Sequence, residues 1–432
     1  MCPPDGRRCL RPSTPVHGSI SVKKASRGAP VFGPAGPREP GEAGKPAGLV
    51  GPGNPAAPGR PGSQAGLPPA ARAGNAADHV TGREDAVALP TREDGRVTPV
   101  VANDRVCTGV TTVDGRIFVS FPGADEPGVQ VAEALPDGRR VPWPDESWNA
   151  VHDEPRPDGA YVHVNGLRAG PDGRLWIVDS GAPGLGRPQV PGGARLIVTD
   201  PGSGEVTRIY DLAAAVGEHS YVDDVRFNGG TAYLTDAGVG GLIVLDLASG
   251  RARRVLDGHP STRGRPLVAD GEVLRGPDGA EVVLHVDQLE VSPDGRYLYY
   301  QPASGGLSRI ETRWLDDPSV TPATVAAHVE PWLDTPTTGG TAIDAAGTIY
   351  LADAERRRIL TVSPEREVAT LVADPRLAWV DAMWVDADGD LWMPAAQLHR
   401  TPGLARGEQR VEYPVWIYRM SVGVPPAPND HA

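Results

Sequence analysis

The chain has little of the residue types on which several common site chemistries depend. It has 432 residues but only three cysteines, Cys2, Cys9 and Cys107, which excludes a disulfide framework and a cysteine-based zinc site. Its three lysines all lie within the first 45 residues. The rest of the chain therefore has no lysine for a Schiff base or for a phosphate-binding loop.

Long apolar runs and a basic surface are also missing. The sequence has no apolar run of about 18 residues to span a membrane and no N-terminal apolar stretch of about 7–15 residues to act as a secretory signal. We therefore expect a cytoplasmic protein by default.

Residues 81–432 carry 32 Arg or Lys against 51 Asp or Glu, whereas a nucleic-acid partner requires a basic footprint. We expect a monomer with a small-molecule ligand, and neither a nucleic-acid nor a membrane partner.

The first 80 residues differ from the rest in composition. They contain 15 Pro and 14 Gly, and they have too few large apolar residues to form a core. We predict a disordered Pro/Gly-rich tail over residues 1–83, a folded unit over 84–424 and a short C-terminal tail over 425–432. The folded unit shows no obvious break into two domains.

An internal repeat organises the folded unit. Each copy has an apolar strand, a turn that ends in glycine and a second apolar strand, and further strands follow. The six copies span residues 108–121, 164–181, 222–238, 286–305, 338–355 and 380–397. Four short antiparallel strands repeated six times predict an all-β fold, a six-bladed β-propeller of four-stranded blades. We expect residues 94–103 to close the ring against the final strand, residues 413–420.

Alignment of the repeats puts polar residues at the start of the innermost strands. These strands begin beside the central channel of a propeller, so their first side chains converge. The predicted ligand-binding residues at these positions are Cys107, Thr108, Asn165, Asp224, Gln288 and Thr341. The predicted catalytic residues are Asp223, Asp287, Asp381 and His285. His285 is included because it precedes Asp287 by two residues and projects to the same side of an extended strand.

Three interpretations of this acidic cluster stay open. In the first, a carboxyl whose pKa is raised by its neighbours acts as general acid and base in a proton transfer, such as a tautomerisation, on a small polar or cationic molecule. In the second, the cluster of Asn165, Asp223, Asp287 and Asp381 holds Ca²⁺, the one cofactor considered, which polarises a lactone or ester carbonyl. In the third, the carboxylates only cap strand ends. A non-catalytic ligand-binding protein is a further alternative.

Several segments resemble the major royal jelly protein and Yellow family. They are DDVRFNGGTAYLTDAG (223–238), DGHPS (257–261), LEVSPDGRYLYYQPASGGLSRI (289–310) and VADPRLAWVDAMWVDADGDLWMPAAQLHR (372–400). The resemblance implies a six-bladed propeller that is usually secreted. Some members are associated with dopachrome conversion, and others bind biogenic amines or sterols in or near the channel. More remotely, the chain is similar to gluconolactonase-like propellers, in which a channel metal often carries the chemistry.

Overall fold

The structure of the protein is a computed structural model that describes residues 88–152 and 155–429. Every described residue belongs to one compact unit, Val80–Ala432. The disordered tail predicted for residues 1–83 lies outside the described residues. In the described part of the chain, no helix has the length and apolar character needed to cross a membrane.

The described unit is built from six four-stranded antiparallel sheets, which are the blades of a propeller. The chain begins with β1 (Thr98–Asn103), which belongs to blade 6. Blade 1 contains β2 (Gly109–Val113), β3 (Arg116–Ser120), β4 (Val131–Ala134) and β5 (Arg140–Pro142). Blade 2 contains β6 (Val164–Ala169), β7 (Leu175–Ser180), β8 (Ala194–Thr199) and β9 (Val206–Asp211). Blade 3 contains β10 (Val222–Asn228), β11 (Thr231–Asp236), β12 (Leu242–Asp246) and β13 (Ala252–Val255).

A short hairpin lies between blades 3 and 4 in the order of the chain. It consists of β14 (Val268–Ala269) and β15 (Glu272–Val273). Blade 4 contains β16 (Val286–Val291), β17 (Tyr297–Pro302), β18 (Leu307–Glu311) and β19 (Glu330–Leu333), with α1 (Thr312–Asp316) and α2 (Pro322–Ala327) before its last strand. Blade 5 contains β20 (Thr338–Ile343), β21 (Ile349–Asp353), β22 (Arg358–Val362) and β23 (Val368–Ala373). Blade 6 contains β24 (Trp384–Val385), β25 (Asp390–Pro394) and β26 (Val415–Ser421), and β1 is its outer strand.

The ring closes as the sequence predicts. Each innermost strand contacts the innermost strand of the next blade, and a parallel bridge between Gly109 and Ala382 joins blade 1 to blade 6. β1 pairs antiparallel with β26, with Val101 opposite Ile417. The two ends of the propeller thus share one sheet, so that both strands satisfy their backbone hydrogen bonds.

The predicted hairpin turns depend on glycine. Gly115, Gly173, Gly295 and Gly389 have φ values of 73°, 71°, 70° and 76°. These left-handed conformations favour glycine because a side chain there meets the backbone. The Asp-Gly pairs read from the sequence therefore do mark the turns that connect the first two strands of a blade.

The hydrophobic core lies between blades. Between blades 2 and 3, Trp176 packs against Phe227 with ring centroids 4.9 Å apart, and both side chains are buried. Leu196 and Leu234 belong to the same cluster and are fully buried. Full burial of such a side chain contributes about 1.5–3 kcal/mol. A blade with two apolar faces is therefore stable only beside its neighbours.

The segment after β26 returns to the propeller. The Ala345 amide donates to the Pro425 carbonyl (2.8 Å), and Asp344 forms an isolated bridge with Pro426. Ala427 is fully buried. The first residues of the predicted C-terminal tail are thus attached to the turn of blade 5.

Candidate functional site

The site lies where the innermost strands begin, and β-bulges shape it. In four of these strands the pairing with the next strand shifts register, between Val164 and Leu167, Val222 and Val225, Val286 and Gln288, and Thr338 and Thr341. A bulge interrupts the alternation of side chains between the two faces of a strand. Two consecutive positions in each of these blades therefore reach the centre of the ring.

These positions line one small cavity at the channel centre, here called the acidic cavity. Its lining consists of Asn165, Gly166, Asp223, Asp224, Asp287, Gln288, Gly339, Gly340, Thr341, Asp381 and Ala382. Its free volume is about 10 Å³, which is close to what one buried water molecule requires. Seven predicted site residues thus come together: Asn165, Asp223, Asp224, Asp287, Gln288, Thr341 and Asp381.

A chain of hydrogen bonds orders the carboxyls on one side of the cavity. The Tyr221 hydroxyl donates to Asn165 Oδ1 (3.1 Å), and Asn165 Nδ2 donates to Asp223 Oδ1 (2.6 Å). Asp287 lines the same cavity, and its charge acts on Asp223.

Burial and mutual repulsion raise the pKa values of this pair. Burial, and next the charge of Asp287, raise the pKa of Asp223 well above its ordinary value. Burial also raises the pKa of Asp287, from 3.8 to about 6. The two groups titrate as a pair.

Asp381 is the third carboxyl of the acidic cavity whose pKa is raised. Trp379 Nε1 donates to its Oδ2 (3.1 Å), and the Ala382 amide donates to its Oδ1 (3.0 Å). Burial, and next the charge of Asp287, raise its pKa well above the ordinary value. Three acids with raised pKa values at one point give the cavity protonated and ionised carboxyls near neutral pH.

Three predicted residues lie outside the cavity lining. Cys107 is fully buried and accepts a hydrogen bond from Asn103 Nδ2 (3.3 Å), and burial raises the pKa of its thiol to about 12. The Thr108 hydroxyl donates to the backbone carbonyl of Asn165 (3.1 Å). His285 Nδ1 accepts from the Gly264 amide (3.0 Å), and burial lowers its pKa.

A second layer of charges, which the sequence analysis did not identify, lies beside the acidic cavity. Arg226 donates to both carboxylate oxygens of Glu290 (2.9 Å each) and to Asp224 Oδ2 (2.7 Å). The Thr341 hydroxyl, which lines the cavity, donates to Glu290 Oε1 (2.7 Å). Arg226 and Glu290 are each 1% exposed, so this ion pair is buried.

A second arginine completes this layer. Arg168 Nη1 donates to the Met383 carbonyl (2.9 Å), Nη2 lies 4.0 Å from Glu290 Oε2, and the guanidinium carbon lies 4.9 Å from the centroid of the Trp384 ring. Arg168, Arg226, Glu290 and Trp384 occupy one column of the repeat alignment, directly after the aligned Leu167, Val225, Leu289 and Met383. The signal in the sequence that could have identified Arg168, Arg226 and Glu290 is a charged residue inside an otherwise apolar strand.

The four predicted calcium ligands, Asn165, Asp223, Asp287 and Asp381, all line the acidic cavity. Within residues 88–152 and 155–429, no group of three or more His, Cys, Asp or Glu side chains has the spacing to hold a metal ion. The calcium ion stays a prediction that a titration tests.

The fold and the site define the class of protein: a six-bladed β-propeller with a cluster of acidic side chains in its central channel. The chain belongs to the major royal jelly protein family, whose family model matches residues 164–423. This match contains blades 2 to 5 and most of blade 6. No curated protein sequence matches the chain at a significant level.

Solved structures with similar folds are distant in sequence. A gluconolactonase from Xanthomonas campestris is 13% identical over 76% of this chain and 89% of its own, with a TM-score of 0.46. A luciferin-regenerating enzyme is 12% identical over 78% of this chain and 98% of its own, with a TM-score of 0.46. A virginiamycin B lyase from Staphylococcus aureus is 12% identical over 76% and 99%, with a TM-score of 0.44.

Proposed function

We propose that the acidic cavity binds one polar or cationic group of a small molecule and transfers a proton to or from that molecule. The observation that carries the proposal is the convergence of Asp223, Asp287 and Asp381 in one small cavity, where burial raises the pKa of each carboxyl. Perturbed carboxyls that converge in one cavity are typical of proton-transfer sites. Membership of the major royal jelly protein family supports a channel ligand.

The size of the cavity limits what enters it. A free volume of about 10 Å³ accepts one hydroxyl, amino or carbonyl group, but no ring. The rest of the ligand then lies above the acidic cavity, at the mouth of the channel. An ammonium group is favoured because the ionised Asp287 faces it at short range.

A tautomerisation or isomerisation matches this chemistry. The reaction removes a proton from one atom of the substrate and returns a proton to another, so that it needs a base and an acid but no oxidant. Ionised Asp287 accepts the first proton, and protonated Asp223 donates the second. A proton that passes from Asp287 to Asp223 within the cavity restores the starting state.

Asn165 and Tyr221 would position the acid. Asn165 Nδ2 donates to the oxygen of Asp223 that the proton does not occupy, and Tyr221 in turn holds the Asn165 amide. This arrangement fixes the orientation of the carboxyl before a ligand arrives, which lowers the cost of reorganisation.

The test uses the full-length protein with two probes. Tyramine, as a cationic amine, is titrated by calorimetry, and L-dopachrome is followed by the loss of its colour as it tautomerises. We expect saturable binding or turnover in the wild type, a loss of at least about tenfold in Asp287→Asn, and no change in Asp388→Asn, which alters an exposed turn. Equal behaviour of Asp287→Asn and wild type, or no response to either probe, would contradict the proposal.

A calcium titration of chelator-treated protein separates the metal alternative. We expect no saturable heat, since no group of three or more acidic, His or Cys side chains among the described residues has the spacing to hold a metal ion. A saturable isotherm that disappears in Asp287→Asn would replace proton transfer by calcium-assisted lactone or ester hydrolysis, with δ-gluconolactone as the probe substrate.

A further inference from the structure

A second cavity, here called the ring pocket, lies on the face of the propeller where the innermost strands begin. Its volume is about 240 Å³. One wall comes from the loop 121–130, which joins β3 to β4, and another from residues 161–163, which directly precede β6. Since β3 ends opposite the start of β2, both walls lie at the end of blades 1 and 2 that faces the acidic cavity. The side chains that matter for binding are Phe121, Pro122, Gln130, Tyr161, His163 and Pro183.

The apolar walls of the ring pocket are fixed before a ligand binds. Phe121 and Tyr161 are each 3% exposed. The Tyr161 ring packs against Trp148 with centroids 5.2 Å apart, and its hydroxyl donates to the Trp143 carbonyl (3.1 Å). Pro122 has almost no side-chain freedom to lose. Binding therefore costs little ordering of these walls.

The volume and the walls select a small uncharged ring. An apolar cavity of about 150 Å³ is enough to bind benzene, so the ring pocket has room for one ring with a substituent. Arg105 supplies the guanidinium in the lining, and this group donates to the backbone carbonyls of Val129 (2.7 Å) and Glu126 (2.5 Å). A charged ligand would lose its hydration against apolar walls, which is costly.

Two uncharged polar side chains provide a place for one hydroxyl group. Gln130 Oε1 accepts from the Val164 amide (2.8 Å), which orients the side-chain amide. Burial lowers the pKa of His163 to about 4, so its neutral imidazole has one donor and one acceptor at neutral pH. Among the described residues, neither Gln130 Nε2 nor a ring nitrogen of His163 has a hydrogen-bond partner, and these atoms are not sealed from solvent. Both side chains can therefore bind a ligand.

His163 also brings the ring pocket close to the acidic cavity. Its ring lies edge-on to Tyr221 with centroids 5.6 Å apart, and the Tyr221 hydroxyl donates to Asn165 Oδ1 (3.1 Å). Asn165 lines the acidic cavity, but the two cavities have no lining residue in common. They are neighbouring sites of different chemistry.

We propose that the ring pocket binds an uncharged planar ring that carries one hydroxyl group, such as a phenol. The ring lies against Phe121 and Tyr161, and the hydroxyl exchanges hydrogen bonds with Gln130 Nε2 and His163. No carboxyl of the acidic cavity takes part, so this inference does not rest on the function proposed above.

The test titrates full-length protein by calorimetry with p-cresol and with toluene, which has the same ring without the hydroxyl. We expect saturable binding of p-cresol, with a dissociation constant at least about fivefold lower than that of toluene, because the hydroxyl adds hydrogen bonds. His163→Phe keeps an aromatic ring beside Tyr221 but removes both ring nitrogens. In this variant the p-cresol constant should rise by at least about fivefold, while toluene binding stays the same, which a collapsed pocket would not allow.

Two controls make the result specific. His219→Phe makes the same substitution at an exposed histidine outside the lining and should leave p-cresol binding unchanged. Asp287→Asn should also retain it, since Asp287 lines the acidic cavity and not the ring pocket. No saturable binding of p-cresol by the wild type, or the same dissociation constant in His163→Phe and wild type, would overturn the proposal. A loss in Asp287→Asn as large as that in His163→Phe would overturn it too, because p-cresol would then lie in the acidic cavity.

Discussion

Replacing Asp287 by Asn should stabilise the protein at neutral and alkaline pH and leave its stability at acidic pH unchanged. The asparagine keeps a polar side chain of the same size, but it removes the negative charge that lies beside Asp223 and Asp381. Burial raises the pKa of Asp287 from 3.8 to about 6, so the folded protein binds this proton more tightly than the unfolded chain does. Folding stability therefore falls as pH rises from about 4 through about 6, and this carboxyl causes no further change above that range.

The size of the effect follows from the same pKa values. A rise from 3.8 to about 6 corresponds to about 3 kcal/mol between the two protonation states. Asp287 is partly exposed, so screening by water reduces the expected gain to about 2 kcal/mol at pH 8. At pH 4 the wild-type carboxyl is protonated in the folded state, and the difference between variant and wild type should vanish.

Urea unfolding followed by tryptophan fluorescence at several values from pH 4 to pH 8 measures this prediction. The matched control is Asp388→Asn, which removes an exposed carboxyl and should shift the midpoint little at any pH. Two results would refute the reasoning. One is a lower free energy of unfolding for Asp287→Asn than for the wild type at pH 8, and the other is a wild-type protein that becomes more stable relative to the variant as pH rises. Either would mean that the ionised carboxylate is stabilised in the folded protein.

Two further predictions concern buried groups. Glu290→Gln should destabilise the protein by about 3 kcal/mol in urea unfolding, because Arg226 loses the carboxylate that accepts two of its hydrogen bonds and keeps Asp224 as a charged partner. A change below about 1 kcal/mol would contradict this. In a variant with Cys2→Ser and Cys9→Ser, Cys107 should not react with a thiol reagent at pH 8 until the protein is unfolded, since burial raises its pKa to about 12; rapid labelling of the folded protein would contradict this.

Much of the architecture could be read from local sequence signals. The six repeats gave the number of blades because each copy carries its own turn chemistry, as Gly173 and Gly295 show by their left-handed backbones. The closing pair, β1 with β26, was predictable because a propeller with an unpaired first and last strand would expose edges. These inferences need only neighbouring residues and the demand that backbone groups be paired.

The make-up of the acidic cavity was predictable in part. The alignment placed Asn165, Asp223, Asp287 and Asp381 in one column, and all four line the cavity. The same column contained Cys107, which lies outside the lining although it is fully buried. The innermost strands of blades 2 to 5 have a bulge at this site, which changes where their side chains point, whereas the first strand pair of blade 1 has no register shift.

The sequence by itself determined the six-bladed ring, its closure and the acidic character of its centre, because strand period, turn residues and charge are properties of short segments. Only the tertiary structure decided that Asn165 donates to Asp223, 58 residues later in the chain, and that His399 lies beside Asp270, 129 residues earlier. Distances of this kind are set by how blades pack and where loops cross. The energies of such polar contacts depend steeply on distance, and no short segment contains both partners.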